Sequence, residues 1–111
     1  MSNVIRITEV NPPVFSAIKY DGTNYDEIYE FISKYKFQEG VVYLKHSGYV
    51  MLESKEQWEN RETKMWIRLM GFRDEETCKD MLYDGDYLLC EDAGLVEILR
   101  SNMIYKYKEV E

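Results

Sequence analysis

The spacing of apolar positions changes along the chain, and each spacing predicts an element. Val4-Ile5-Arg6-Ile7-Thr8-Glu9-Val10 is β-branched and alternating, which predicts a strand; because it runs into Asn11-Pro12-Pro13, residues 1–12 read either as an edge strand or as a loose N-terminal arm. From Pro13 to Tyr20 the alternation continues, with Val14, Ser16, Ile18 and Tyr20 on one face and Phe15, Ala17 and Lys19 on the other. Asp21-Gly22 then predicts a turn. Tyr25, Ile28, Tyr29, Ile32 and Tyr35 recur at helical spacing, and Asn24 stands three residues before Glu27. That pattern predicts an amphipathic helix over 25–35, capped by Asn24 in a variant of the capping box. Core packing is the commoner role of such a stripe, and three tyrosine hydroxyls on it require water or an acceptor nearby.

Beyond Gly40 the period falls to two. Residues 41–45 and 49–53 predict a hairpin closed by His46-Ser47-Gly48, with Gly48 left-handed. Residues 54–62 are polar around Trp58 and predict a loop or short helical turn. Residues 64–70 alternate Met65, Ile67 and Leu69 against Trp66, Arg68 and Met70, a strand that Gly71 closes. Asp74 with Glu75 and Glu76 suits the start of a helix over 74–82. A second hairpin is predicted from Asp86–Cys90 and Leu95–Leu99, after the turn Asp84-Gly85 and across Asp92-Ala93-Gly94. Ser101-Asn102 predicts one short turn, and residues 104–110 a last strand. The expected fold is α+β: one small domain over 1–111, a mostly antiparallel sheet built from hairpins, with one amphipathic helix packed on one face.

Composition narrows the function. The 111 residues are 45% hydrophobic and 14% aromatic, enough for one core and too apolar for a disordered chain. No stretch approaches the roughly 20 apolar residues of a membrane span, and the N-terminus lacks the apolar core of a signal peptide; a cytoplasmic protein is expected. The net charge of -7 is unevenly placed. Between Asp74 and Glu97 stand nine acids and one base, Lys79, a local charge of -8, while the rest of the chain sums to +1. Such a window disfavours binding to a phosphate backbone and suits a partner with a basic surface, although solvated turns are its commoner explanation.

The residues of catalysis are sparse. His46 is the single histidine and falls in the predicted hairpin turn, next to Ser47, and sequence neighbours do not converge as triad members do. Cys78 and Cys90 with one histidine fall short of a four-ligand zinc site and read as structural. Asp84, Asp86, Glu91 and Asp92 lack calcium-loop spacing. No nucleotide, metalloprotease or hydrolase motif occurs. The expectation is no enzymatic activity, no cofactor and no metal. Ten tyrosines and two tryptophans exceed what a core of this size needs, and such residues anchor protein interfaces. The candidate protein-binding residues are the acids Asp74, Glu75, Glu76, Asp80, Asp84 and Asp86 and the aromatics Trp58, Trp66, Tyr83 and Tyr87.

Two stretches resemble a known family. Pro13-Val14-Phe15-Ser16-Ala17-Ile18-Lys19-Tyr20-Asp21-Gly22-Thr23-Asn24-Tyr25-Asp26-Glu27-Ile28 with Phe31 resembles the opening P-V-x-x-A-I-x-[WY]-x-G-x-N-x-x-E-I-x-x-F of small phage and prophage proteins of Gram-positive bacteria. Gly85-Asp86-Tyr87-Leu88-Leu89, Gly94 and Ile104-Tyr105-Lys106-Tyr107 with Glu109-Val110 resemble their close, G-D-[WY]-I-I … G … F-x-x-T-Y-E-P-V, also seen in PGDYG-type domains. The match covers about half the chain. Asp84 replaces the usual proline, 95–99 is more apolar than its counterpart, and 37–80 matches nothing in the pattern. The resemblance implies a mobile-element origin and a compact α+β fold, and it transfers no catalytic or ligand-binding residue. The combined expectation is a phage accessory protein that binds a host or phage protein, such as a nucleic-acid-handling or anti-phage defence factor, through its acidic face. A virion assembly role, with self-association, and a small-ligand binder or enzyme are the alternatives.

Overall fold

The alternation of the β-branched runs is realised as strand register. The computed structural model describes residues 3–8, 14–36, 40–71, 79–91 and 94–109. Among them, nine strands make one sheet: β1 (Val4–Thr8), β2 (Val14–Lys19), β3 (Val41–Leu44), β4 (Gly48–Leu52), β5 (Trp66–Gly71), β6 (Lys79–Tyr83), β7 (Tyr87–Cys90), β8 (Val96–Leu99) and β9 (Lys108–Glu109). Their order is β6-β5-β4-β3-β8-β7-β2-β1-β9. Every pair is antiparallel except β3 with β8, which meet in parallel at Leu44 and Val96. The helices are α1 (Tyr25–Ser33), α2 (Lys55–Asn60) and a 3-10 turn over Ser101–Lys106. The α+β expectation and its mostly antiparallel sheet hold. Among the described residues no helix is long and apolar enough to cross a membrane.

The sheet is rolled, and the chain itself requires it. β6 and β7 are five strand spacings apart, roughly 24 Å in a flat sheet. Yet four residue steps from Tyr83 to Tyr87 join them, a reach of at most about 14 Å. The roll closes through Tyr20 N–H to Asp86 O (2.9 Å), Gly85 N–H to Tyr20 O (2.8 Å) and Asp84 N–H to Met65 O (2.7 Å). Inside it, Ile18, Val42, Val50, Ile67, Leu69, Leu82, Leu88 and Val96 pack with Tyr25, Ile28, Phe31 and Ile32 of α1. Burying these apolar groups is the main source of stability, at about 25 cal/mol for each Å² removed from water.

Several expected details differ. Asn24 precedes α1 without a side-chain cap. Its amide instead accepts from Asp21 N–H (2.8 Å) and donates to Lys19 O (2.8 Å), tying the end of β2 to the helix start. On α1 it is Phe31, not Tyr29, that is buried; Tyr29 is exposed. The helix expected over 74–82 is overturned for 79–82, which form β6 through Leu82 opposite Ile67 and Met81 opposite Arg68; its remainder lies outside the described residues. The last strand shrinks to β9, and residues 101–106 wind as a 3-10 turn. Met103, Ile104 and Tyr107 then cover a second core of Ile7, Phe15, Ala17, Leu89 and Leu99, so the sheet is covered on both faces rather than one.

Candidate functional site

The outer face of β5 and β6 collects exposed aromatic surface. Ile67 and Leu69 point into the roll, so the strand's two-residue period turns Trp66 and Arg68 outward. Trp66 stands opposite Tyr83, and the two rings meet edge to face with centroids 6.4 Å apart. Arginines hold both ends of this pair. Arg61 lies over Trp66 (5.0 Å) and Arg100 over Tyr83 (5.4 Å), each within cation–π range. Tyr83 is 44% exposed and the neighbouring Met65 62% exposed.

Both arginines are neutralised from within. Arg61 is paired with buried Glu53 and donates to Trp66 O (2.8 Å), while Glu53 Oε1 also accepts from Arg68 N–H (3.1 Å). Arg100 pairs with buried Asp86 at 2.7 Å. The clamp is thus rigid and carries little net charge, leaving the rings as the apolar feature of the face. Short α2 supplies Arg61: Ser54 and Gln57 close a full capping box at its start, so of the loop or short helical turn expected over 54–62 the helical turn forms.

The proposed site residues separate on the structure. Trp66 and Tyr83 come together on this face. Asp84 is exposed at the adjacent turn, its carboxylate against Gly22. Trp58 is corrected to a core residue: it is buried, its Nε1–H donates to the Tyr20 hydroxyl (3.0 Å) and its ring meets Tyr25 at 5.3 Å. Asp86 is likewise corrected from surface to interior, since it is 4% exposed and spends its oxygens on Tyr83 N–H, Ser101 N–H and Arg100. Tyr87 is half-buried against the second core, and Asp80 accepts a hydrogen bond from the Ser47 hydroxyl. Asp74, Glu75 and Glu76 lie outside the described residues. Among the described acids of the window, Asp80 and Glu97 line one depression at the β3–β4 turn, Asp84 is exposed and Asp86 is buried. Arg61 and Arg100 went unseen in the sequence because they flank elements and belong to no periodic stripe, whereas Met65 alternates with Ile67 and Leu69 in sequence yet stands just before β5 and is exposed.

Burial perturbs two phenols beneath the site. Desolvation raises the Tyr25 hydroxyl to about 12, with the Glu53 charge adding to it. Burial also raises Tyr20, against the opposing hydrogen bond from Trp58. At the β3–β4 turn His46 is left-handed (φ 73°) beside Gly48 (φ 83°), over a shallow depression of about 180 Å³. There the Ser47 hydroxyl donates to the Asp80 carboxylate. No group of three or more His, Cys, Asp and Glu side chains among the described residues is placed to hold a metal ion. In comparison with known proteins, no family profile, no curated protein and no solved structure matches the chain.

Proposed function

We propose that the protein is a non-enzymatic protein-binding module whose docking face is the outer side of β5–β6, with Trp66 and Tyr83 as anchors and Met65 and Asp84 at the rim. The observation that carries this is the edge-to-face pair of half-buried Trp66 and exposed Tyr83, each ring covered by an internally neutralised arginine. Rings fixed in advance lose little conformational entropy on association, which is why such residues dominate binding energy. Asp74, Glu75 and Glu76 stand in the sequence between β5 and β6 and Asp84 follows β6, so this stretch of the chain is acidic and suits a partner with a basic surface. The resemblance to phage proteins makes a bacterial host factor, of the nucleic-acid-handling or defence kind, the partner class of this reading.

The test compares partners captured from a bacterial host lysate by the unaltered chain, by Tyr83→Ala, and by a variant with Asp74, Glu75, Glu76 and Asp84 changed to their amides, each checked for folding by circular dichroism. Loss of an anchor is expected to weaken the captured complex by about 2 kcal/mol, roughly 30-fold. The amide variant is expected to retain the partner with reduced salt sensitivity. Equal capture by Tyr83→Ala and the unaltered chain would remove the docking face. Concentration-dependent self-association lost in Tyr83→Ala would replace the host partner with a second copy.

A further inference from the structure

Four buried donors on and beside the outer face of β5 have no hydrogen-bond partner among the described residues: Arg61 Nε and Nη1, Trp66 Nε1 and Arg68 Nε. Folded proteins rarely leave such groups unmet, because each has given up water without replacing it. Their side chains gather around one carboxylate. Glu53 Oε1 accepts from Arg61 Nη2 and from Arg68 N–H (3.1 Å), and Arg61 Nη2 reaches on to Trp66 O (2.8 Å). Trp66 and Arg68 stand two residues apart on the same side of β5, their Cα atoms about 7 Å from one another. Glu53 is thus committed to Arg61 and to the backbone, while the Arg68 guanidinium takes part in no ion pair among the described residues. Two arginines against one glutamate leave one positive charge over, with its donors unmet.

We propose that Arg61, Trp66 and Arg68 form a binding site for a second carboxylate, that of a small organic acid. A carboxylate fits on two counts. Its single negative charge matches the positive charge left over, and its two oxygens offer about four acceptor positions to N–H donors. Hydrogen bonds from guanidinium to carboxylate are also roughly twice as strong as neutral ones. Arg68 is the arm of the site: it is half-buried and held by no ion pair, so it turns its guanidinium toward the incoming anion, while Arg61 stays on Glu53 and Trp66 presents its indole N–H. A cation would meet only N–H groups there. The site shares Trp66 with the proposed docking face, yet it needs no protein partner, and its failure leaves that face standing.

The experiment is a nuclear magnetic resonance titration of the isolated, isotope-labelled chain in which sodium acetate replaces sodium chloride at fixed ionic strength. The Trp66 Nε1–H and Arg68 Nε–H resonances are followed at mildly acidic pH, where guanidinium protons exchange slowly enough to be seen and acetate is ionised. Both are expected to shift and to saturate with a dissociation constant on the order of 1–10 mM, a modest affinity suited to a ligand this small. The Trp58 Nε1–H, bound to the Tyr20 hydroxyl in the core, is the internal control and is expected to stay in place. Arg68→Gln, which removes the charge and the Nε donor together, is expected to weaken binding at least about tenfold, with circular dichroism as the check on folding. Arg68→Lys keeps the charge without that donor and is expected to fall between the two. A linear drift without saturation, saturation with the Trp66 and Arg68 side-chain resonances unmoved, or native affinity in either Arg68 variant would each overturn the proposal.

Discussion

Asp86 accepts from Tyr83 N–H (3.0 Å), Ser101 N–H (3.0 Å) and Arg100 Nη1 (2.7 Å), and Arg100 Nη1 donates in turn to Met81 O (2.7 Å). The Tyr83 N–H and Met81 carbonyl are the outward groups of β6, which ends the sheet on that side. One ion pair therefore stands where a neighbouring strand would, and satisfies an edge that otherwise invites pairing with another chain. Asp86→Ala orphans two backbone donors and a cation at once, and is expected to lower unfolding free energy by about 3 kcal/mol in urea titration. Asp86→Asn keeps an acceptor oxygen and should cost less. Nothing in the string Asp84-Gly85-Asp86 distinguishes this carboxylate from its solvated neighbour; it is buried because rolling brings Arg100 and Ser101 to it from another element. The same holds for Trp58, whose polar surroundings in sequence conceal the Tyr20 hydroxyl it binds. Tyr25 gives a pH signature. Its hydroxyl titrates near 10 when unfolded and at about 12 when folded, so the folded state holds the proton more tightly. That contribution is complete below pH 10 and is lost as pH rises from 10 to 12, on the order of 2 kcal/mol. Urea titrations across that range should show a shallower decline for Tyr25→Phe, with a residual slope from Tyr20, which is shifted the same way.

At the scale of elements, α2 is six residues long and could not persist alone. It is held by its capping box, in which Ser54 Oγ accepts from Gln57 N–H (3.1 Å) and Gln57 Oε1 accepts from Ser54 N–H (3.1 Å), and by Trp58 in the core. Ser54→Ala is expected to cost about 1 kcal/mol by thermal or urea unfolding. Because α2 delivers Arg61 to Trp66, the same variant should increase the mobility of the Trp66 ring, visible as reduced fluorescence anisotropy in a Trp58→Phe background. The hairpins and α1 were legible in the sequence because each combines a clean period with a glycine at a position of positive φ, as Gly22 (φ 88°) and Gly48 (φ 83°) show. Residues 79–83 were not. Over five residues Lys79-Asp80-Met81-Leu82-Tyr83 satisfies a helical and an extended pattern equally, and the early acids tilt the reading toward a helix. Pairing with β5 decides the matter, placing Leu82 beside Ile67 inside and Tyr83 beside Trp66 outside. That long-range contact also creates the aromatic pair, so the proposed docking face was visible in its residues and hidden in its assembly.

Over the whole molecule, the sheet consists of two antiparallel runs, β6-β5-β4-β3 and β8-β7-β2-β1-β9, which share one parallel bridge at Leu44 and Val96, continued by Lys45 N–H to Val96 O (2.7 Å). So slight a seam would let the runs separate if backbone pairing alone held them. The core argues otherwise, since Ile18, Leu88 and Val96 from one run and Val42, Ile67 and Leu82 from the other pack around the same side chains of α1. Opening either run exposes this shared core, which favours a single cooperative transition. Cys90 reports on it. The residue is buried in β7, between β2 and β8, its thiol donating to Glu91 O (3.3 Å). In a Cys78→Ser background, its reaction with a thiol reagent should therefore proceed through global unfolding, roughly 10⁴-fold slower than in the unfolded chain for a domain of ordinary stability. The decisive quantity is the dependence of that rate on urea. A slope equal to the equilibrium value of the whole chain means that both runs unfold together. A slope near half of it would mean that β8-β7-β2-β1-β9 opens alone, and that the shared core around α1 couples the runs less than its packing implies.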